Sequence, residues 1–390
     1  MTDTATTDTA GSLPGASIWA GILTCESFLC GAEALDMKPS PDHNGAWDGA
    51  AEEHRTTARP DQALPNRLSA RDDSPGMSAI ADAAVKAVAE RDTALRQRVL
   101  SLRAGVSRML ADPAQLPPAP LVYQNLSRLI DDPKSSPNQV SEVVSSDPAS
   151  TSRLLQVVNS PFFGLRKRVD TVSAAVRLLG FEPVRSLVLA ITAGDMFKAP
   201  PGVAAGAVEQ LWRHSIGVGV AAKVIGRRMG APDVEQCFIA GLLHDIGKIV
   251  LLRSAPEAFQ ATLDLAAQEQ VLFLDAEATV CGTDHAAIGL MLAEKWAFPP
   301  SLAEAVSLHH RPELAKANPE LVAAVHVADI VCRALAIGSG GDALLPVLNR
   351  VAKQTLGLDA ANLKEIVEAV ELEYPDVETS LLGGVQRLAA

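Results

Sequence analysis

The segment GLLHDIGKIVLL, residues 241 to 252, sets an imidazole and a carboxylate side by side in an otherwise largely apolar run. Burying such groups is costly unless each finds a partner, and His244 and Asp245 are both of the type that binds divalent metals. Further candidates lie in apolar, helical-looking sequence rather than in polar loops: His214, His285, His309, His310, His326 and Asp329. Adjacent residues on a helix point about 100 degrees apart. A metal shared by His244 and Asp245 would therefore sit at the flank of their helix, and other helices would have to close the site. His214 on the preceding helix and Asp329 on a later one are the natural partners. Two imidazoles and two carboxylates make a mixed nitrogen and oxygen set suited to manganese, iron, magnesium or zinc. The alternative for His244 and Asp245 is a buried ion pair or hydrogen-bonded unit. His326 is expected to be a hydrogen-bonded core residue, and Lys248, on its own surroundings, to lie at the helix surface with its stem on the core.

The elements that must position these groups are helices. Of the 390 residues 48% are hydrophobic but only 4% aromatic, and Ala, Leu and Val abound, a composition that favours helices packed through small aliphatic side chains over sheets. The expected fold class is all-α, a multi-helix bundle. A formal net charge of -12 opposes sequence-independent binding to nucleic acid, which needs a basic face. The five cysteines are irregularly spaced; Cys237, Cys281 and Cys332 sit in apolar helical contexts, Cys25 and Cys30 match no metal or redox spacing, and the set reads as a reduced cytoplasmic protein. Residues 16 to 35 are apolar, but no Lys or Arg precedes Lys38 and Glu26 and Glu33 interrupt the run, so neither an export signal nor a membrane span is expected.

Residues 1 to 76 mix Thr, Ser, Pro, Gly, Asp and Ala without sustained periodicity, and disorder is expected there, with His43 and His54 solvated. At Met77 helical spacing begins with Ser78 as N-cap, which marks Met77 as the expected natural start and residues 77 to 112 as an N-terminal helix, for packing or oligomerisation. From Leu116, short helices are punctuated by proline. Ser136 before Pro137 and Asp147 before Pro148 each place a capping side chain ahead of a proline at the first helical position. Gly180 divides two further helices. A long amphipathic helix ends at Gly230, and DVEQCFIAGLLHDIGKIVLL is expected to come next as one nearly all-apolar helix. Helices over 255 to 269, 273 to 280, 284 to 296, 299 to 310 and 319 to 337, a GSGG loop at 338 to 341, and two C-terminal helices within 342 to 390 complete the expected order.

A His, then His-Asp, then a distant Asp on successive helices resembles the HD phosphohydrolase superfamily. The segments LPPAP, VVSSDPASTSRLLQVVNSPFFG, VSAAVRLLGFEPVRSLVL, LWRHSIGVGVAAKVI, FIAGLLHDIGKIVLL, GTDHAAIGLMLAEKWAFP, LHHRPE and HVADIVCR narrow the resemblance to the HDOD family, the HD-related output domain, over residues 116 to 336. That resemblance implies an all-helical domain of bacterial signalling proteins, often regulatory rather than enzymatic. Compared with the related HD-GYP phosphodiesterases, it implies one metal on His214, His244, Asp245 and Asp329. Asp245 would bridge to a second metal on His285, His309 and His310, and Lys248 would meet a substrate phosphate, so Asp245 and Lys248 are the candidate catalytic residues. Two departures stand out: Gln210 replaces an acidic ligand one turn before His214, and after His310 the chain reads RPELAKANPELV without a Gly-Tyr-Pro segment. A third metal and cyclic di-GMP hydrolysis are therefore not expected.

The function expected is bacterial signal transduction through binding of a signalling protein or ligand. The alternative is a metal-dependent phosphohydrolase acting on a nucleotide or cyclic dinucleotide. A local basic excess (Arg153, Arg166, Lys167, Arg168, Arg177 and Arg185) offers a docking face for an acidic protein or a nucleotide, against the plainer reading of a solvated loop with scattered surface arginines.

Overall fold

The structure, a computed structural model, describes residues 75–160, 163–197 and 205–386. The stretch expected to be disordered, up to residue 74, lies outside the described residues, and with it Cys25, Cys30, His43 and His54. Among the described residues every regular element is a helix and no strand occurs. No described helix is long and apolar enough to cross a membrane.

Helix α1 (Pro75–Ala111) begins ahead of the expected Ser78 cap; a proline is tolerated in a first turn, where its missing N–H has no helical partner. Contacts divide the described chain into two compact units with the boundary between Gln97 and Arg98. The smaller unit holds the N-terminal part of α1, and the larger holds the remainder of α1 and every later helix. In the larger unit Val106 and Met109 of α1 are buried, and Arg103 donates to the Ala278 carbonyl at 2.8 Å.

Five helices come next: α2 (Leu121–Ile130), α3 (Pro137–Ser145), α4 (Pro148–Val158), α5 (Val172–Leu179) and α6 (Phe181–Gly194). Their starts are set locally, as the sequence implies. The Ser136 hydroxyl accepts the Gln139 N–H while the Gln139 side chain accepts the Ser136 N–H at 2.8 Å, a reciprocal capping box, and Asp147 caps α4 through the Ala149 N–H at 3.2 Å. Each cap contributes on the order of 1 kcal/mol. The proline-rich entry to α2 is fastened from a distance, since Lys295 donates to the Pro113 and Leu116 carbonyls and the Trp296 indole N–H to that of Pro117 at 2.9 Å.

The remaining helices are α7 (Ala205–Met229), α8 (Val234–Leu243), α9 (Ile246–Ser254), α10 (Pro256–Glu269), α11 (Phe273–Cys281), α12 (His285–Lys295), α13 (Pro300–Leu308), α14 (Pro319–Ala334), α15 (Arg350–Thr355) and α16 (Ala360–Gln386). Helix α7 is the axis of this half, with α8, α14 and α16 all packed along it, and α6 joins the N-terminal helices to α8. Helix α16 buries Ile366, Val370 and Val377, and is tied to α7 by the ion pairs Arg213–Glu378, Arg227–Glu373 and Arg228–Glu365.

One expectation is corrected. DVEQCFIAGLLHDIGKIVLL is not a single helix: α8 ends at Leu243, α9 starts at Ile246, and His244 and Asp245 form the break between them, with Asp245 at φ -95 and ψ 15. The unbroken apolar pattern does not display it. Gly247 packs so closely on the start of α12 that a Cβ there would fall 1.9 Å from the His285 carbonyl oxygen, and only glycine lets the two backbones meet.

Gly247→Ala is expected to cost about 3 kcal/mol of stability through this backbone clash. Gly206→Ala, at a helix position with open space around the added Cβ, is expected to be neutral or slightly stabilising. Urea unfolding of the two variants measures the difference.

Candidate metal centre

The break delivers the site. His244 closes α8 and Asp245 opens α9, so their side chains leave the backbone at a kink rather than around a regular turn. His214 comes from the middle of α7, His285 from the first residue of α12, His309 and His310 from the end of α13, and Asp329 from α14. All converge. The ligand atoms of His214, His244 and Asp329 lie within 4.8 Å of one another, as do those of Asp245, His285, His309 and His310. Asp245 stands between the groups: Oδ2 is 3.3 Å from His244 Nε2 and 3.8 Å from His214 Nε2, while Oδ1 is 3.1 Å from His285 Nε2 and 3.8 Å from His309 Nε2. All of these side chains are buried except His310, which is partly so.

The donor set suits divalent cations. His244 Nδ1 lies 2.7 Å from the Gly241 carbonyl and His309 Nδ1 lies 2.8 Å from that of Val306. A carbonyl can only accept, so Nδ1 carries the proton and each Nε2 turns a lone pair inward. His285 Nδ1 meets Glu277 Oε2 at 2.8 Å, which places a proton on Nδ1 there too. The imidazoles then face one another with Nε2 atoms 2.9 Å apart in His285 and His310 and 3.4 Å apart in His285 and His309, a spacing that requires a proton or a cation among them. The buried atoms His214 Nε2, His244 Nε2 and Asp245 Oδ1 have no hydrogen-bond partner. His214 Nε2 is 3.0 Å from Asp329 Oδ1, but in an orientation that forms no hydrogen bond. Orphaned buried groups of this kind are rare without a function.

Charge is managed within the cluster. Burial opposes ionisation of Asp245, yet His244, Lys248 and His285 hold its carboxyl well below the usual range. Asp329 is held low against burial by Arg333 and His214. Burial and the surrounding imidazoles push His309 and His310 well below their ordinary value. His285 goes the other way: burial and Lys248 disfavour its cation, but Glu277 and Asp245 outweigh them and push it up to about 9.

Lys248 does not lie at the helix surface. Its Nζ donates to Asp245 Oδ2 at 2.8 Å and to the Gly340 carbonyl at 2.8 Å, beside the Phe273 ring. Gly340 belongs to a strap over residues 338–342 that seals this side. Gly338, at φ +63, sits against the His214 amide, where a Cβ would fall 2.3 Å from the nitrogen, and Ser339 N–H bonds the Gln210 carbonyl at 3.1 Å. Asp342 anchors the strap by bonding Arg333 at 3.0 Å and the Phe273 N–H at 2.8 Å, and Arg333 also meets Asp329 at 3.0 Å. On the turn before His214, Glu209 is paired with Arg213, leaving no carboxylate for a third cation at that position.

His326 is the core residue expected, with both nitrogens used: Nδ1–H donates to the His309 carbonyl at 2.8 Å and Nε2 accepts the Asn349 N–H at 3.1 Å. The sequence reading missed Glu277, Arg333 and Asp342. The acid–base pair Asp329 and Arg333, four residues apart on one helix, was a usable signal; Glu277 reaches His285 across the turn between two helices and left none. The basic cluster is largely spent internally, since Arg153 pairs with Asp195, Arg168 with Asp170, Arg185 with Asp131 and Glu182, and Arg177 donates to Ser173. Arg166 and Lys167 stand exposed in the intervening loop.

Comparison with known proteins now decides the family. The HDOD domain profile matches residues 116–312, just over half of the chain. The chain belongs to the HDOD domain family. The match ends before Asp329, which the fold brings to the centre from α14. An HDOD domain protein of unknown function from Geobacter sulfurreducens is similar at 25% identity and TM-score 0.53, over 72% of this chain and 99% of its own. A candidate phosphohydrolase from Shewanella amazonensis SB2B shares the fold at 23% identity and TM-score 0.54, over 71% of this chain and 97% of its own. A candidate signal-transduction protein from Marinobacter aquaeolei VT8 does so at 22% identity and TM-score 0.57, over 74% of this HDOD chain and 65% of its own. A curated Treponema pallidum (strain Nichols) protein, itself uncharacterised, is 26% identical over 250 residues, which is 64% of this chain and 47% of that protein; the HDOD chain thus spans about half the length of this relative.

The imidazole of His285 carries a pH dependence. Its folded value of about 9 stands above the ordinary 6.5. In protein stripped of metal by a chelator, the stability this group contributes is therefore fully present below about pH 6.5 and is lost as pH rises through about 9. The thermal midpoint should fall across that interval, and His285→Gln should flatten the fall.

Proposed function

We propose that this HDOD chain is a bacterial signal-transduction protein that works through binding rather than turnover, its buried centre holding divalent cations as part of the folded core. The observation that carries this reading is the enclosure of the centre. Lys248, which a hydrolase would offer to a substrate phosphate, is 1% exposed and committed to Asp245 and the Gly340 carbonyl. Displacing those partners to admit a substrate would leave a buried carboxylate short of its cation, at a cost of several kcal/mol. A cation on each side of Asp245 would instead satisfy the orphaned His214, His244 and Asp245 atoms and draw α7, α9, α12, α13 and α14 together. The partner is a signalling protein, which would meet the outer face of the bundle rather than the centre.

A second reading rests on a different observation. Asp245 belongs to one ligand group and stands 3.3 Å from His244 of the other, and cations held there would supply the charge neutralisation that phosphoryl transfer to water demands. On that reading the ligand is a nucleotide or cyclic dinucleotide, Asp245 and Lys248 are catalytic, and the strap opens to admit it.

The two part on one experiment. Metal content is measured in protein purified without chelator, and a panel of nucleotides and phosphodiesters is assayed with and without Asp245→Ala. Bound divalent metal with no turnover is expected. Turnover that vanishes in Asp245→Ala would replace this proposal with the hydrolase, and protein that takes up no metal would remove the cations from it.

A further inference from the structure

The imidazoles of the centre are not oriented alike. His244 and His309 each donate Nδ1–H to a backbone carbonyl three residues earlier, in their own turn of helix. His285 instead turns Nδ1 to a carboxylate, Glu277, which comes from α11 across the intervening turn and is itself fully buried. One oxygen, Oε2, accepts both the ring N–H at 2.8 Å and the backbone N–H of His285 at 2.7 Å. The same atom thus fixes the first residue of α12 and the rotation and tautomer of its side chain. The other oxygen, Oε1, is buried without a hydrogen-bond partner. If capping were its sole task, a neutral amide of the same length would serve and would avoid burying a charge against nothing.

We propose that Glu277 is a positioning residue for cation binding: its carboxylate orients His285 and, through the ring, strengthens that imidazole as a ligand for the group formed by Asp245, His285, His309 and His310. The inference rests on the cation-binding reading above. It assigns the residue a selective effect, because the hydrogen bonds and ion pair of Glu277 go to His285 and not to His214, His244 or Asp329. A carboxylate behind a ligating imidazole holds the ring in its binding orientation and raises its basicity, and losing one lowers affinity about 10- to 100-fold.

The test titrates the full chain, freed of metal, with Co²⁺, followed by visible absorption and by heat of binding. Wild type, Glu277→Gln, Glu277→Asp, His285→Gln and His214→Gln are compared. Two binding events are expected in the wild type. Glu277→Gln keeps an acceptor and nearly the same shape but removes the charge, and should weaken one event about 10- to 100-fold while sparing the other. The affected event should be the one lost in His285→Gln and retained in His214→Gln. Far-UV circular dichroism of metal-free Glu277→Gln should match wild type, which separates weakened cation binding from a loss of the fold. Glu277→Asp keeps the charge but cannot span both donors, and should weaken the same event; it also serves if the amide variant does not fold. Unchanged affinity in Glu277→Gln, or equal weakening of both events, would overturn the proposal. Wild-type protein that binds no Co²⁺ would overturn it together with the cation-binding reading, whereas two intact events in Glu277→Gln would sink this inference alone.

Discussion

One buried carboxylate organises this protein. Asp245 sits at the junction of two helices with its two oxygens facing opposite ways, one toward Lys248 and His244, the other toward His285 and His309. A charge so deep in a helical bundle is tolerable only where its partners are held rigidly around it, because each partner lost leaves the rest uncompensated in a medium that solvates ions poorly. The surrounding architecture meets that demand. Helices α7, α9, α12, α13 and α14 each present a cationic or cation-binding group to a common point, and most do so from a terminus, where the chain changes direction and a side chain can be aimed independently of helical phase.

Around this point lies a layer of groups that fix the side chains of the centre. Backbone carbonyls of Gly241 and Val306 set two imidazoles, and His326 braces the His309 carbonyl against the segment that leads into α15. Arg333 connects Asp329 to Asp342, and Asp342 holds the strap whose Gly340 carbonyl covers Lys248. Hydrogen bonds thus join the strap to Asp329 through Arg333 and to Asp245 through Lys248.

The HDOD match covers the helices from the proline-rich entry to the His309–His310 turn, yet the folded unit runs on through α14, α15 and α16. Those last helices are integral to it. Asp329 comes from α14, and α16 lies along the helix that carries His214, held there by a buried aliphatic face and a row of ion pairs. Surface charge elsewhere is used to pin helices rather than to build a binding face, which is why the arginines between Arg153 and Arg185 amount to less of a docking surface than their number suggests.

Composition by itself indicated the all-helical class, and the residue order displayed the caps at Ser136 and Asp147, whose hydrogen bonds span two or three residues. The full set of histidines and aspartates that meet at the centre was legible through the resemblance to the HDOD and HD-GYP families rather than through spacing. Tertiary structure decided the rest. The break at His244–Asp245 leads into the backbone-to-backbone packing of Gly247 on α12, and Lys248 is held by a strap more than ninety positions away. Glu277 finds His285 across a turn that no periodicity spans. Contacts made between helices leave no repeating pattern within either of them, so they become legible only once the chain has brought the helices together.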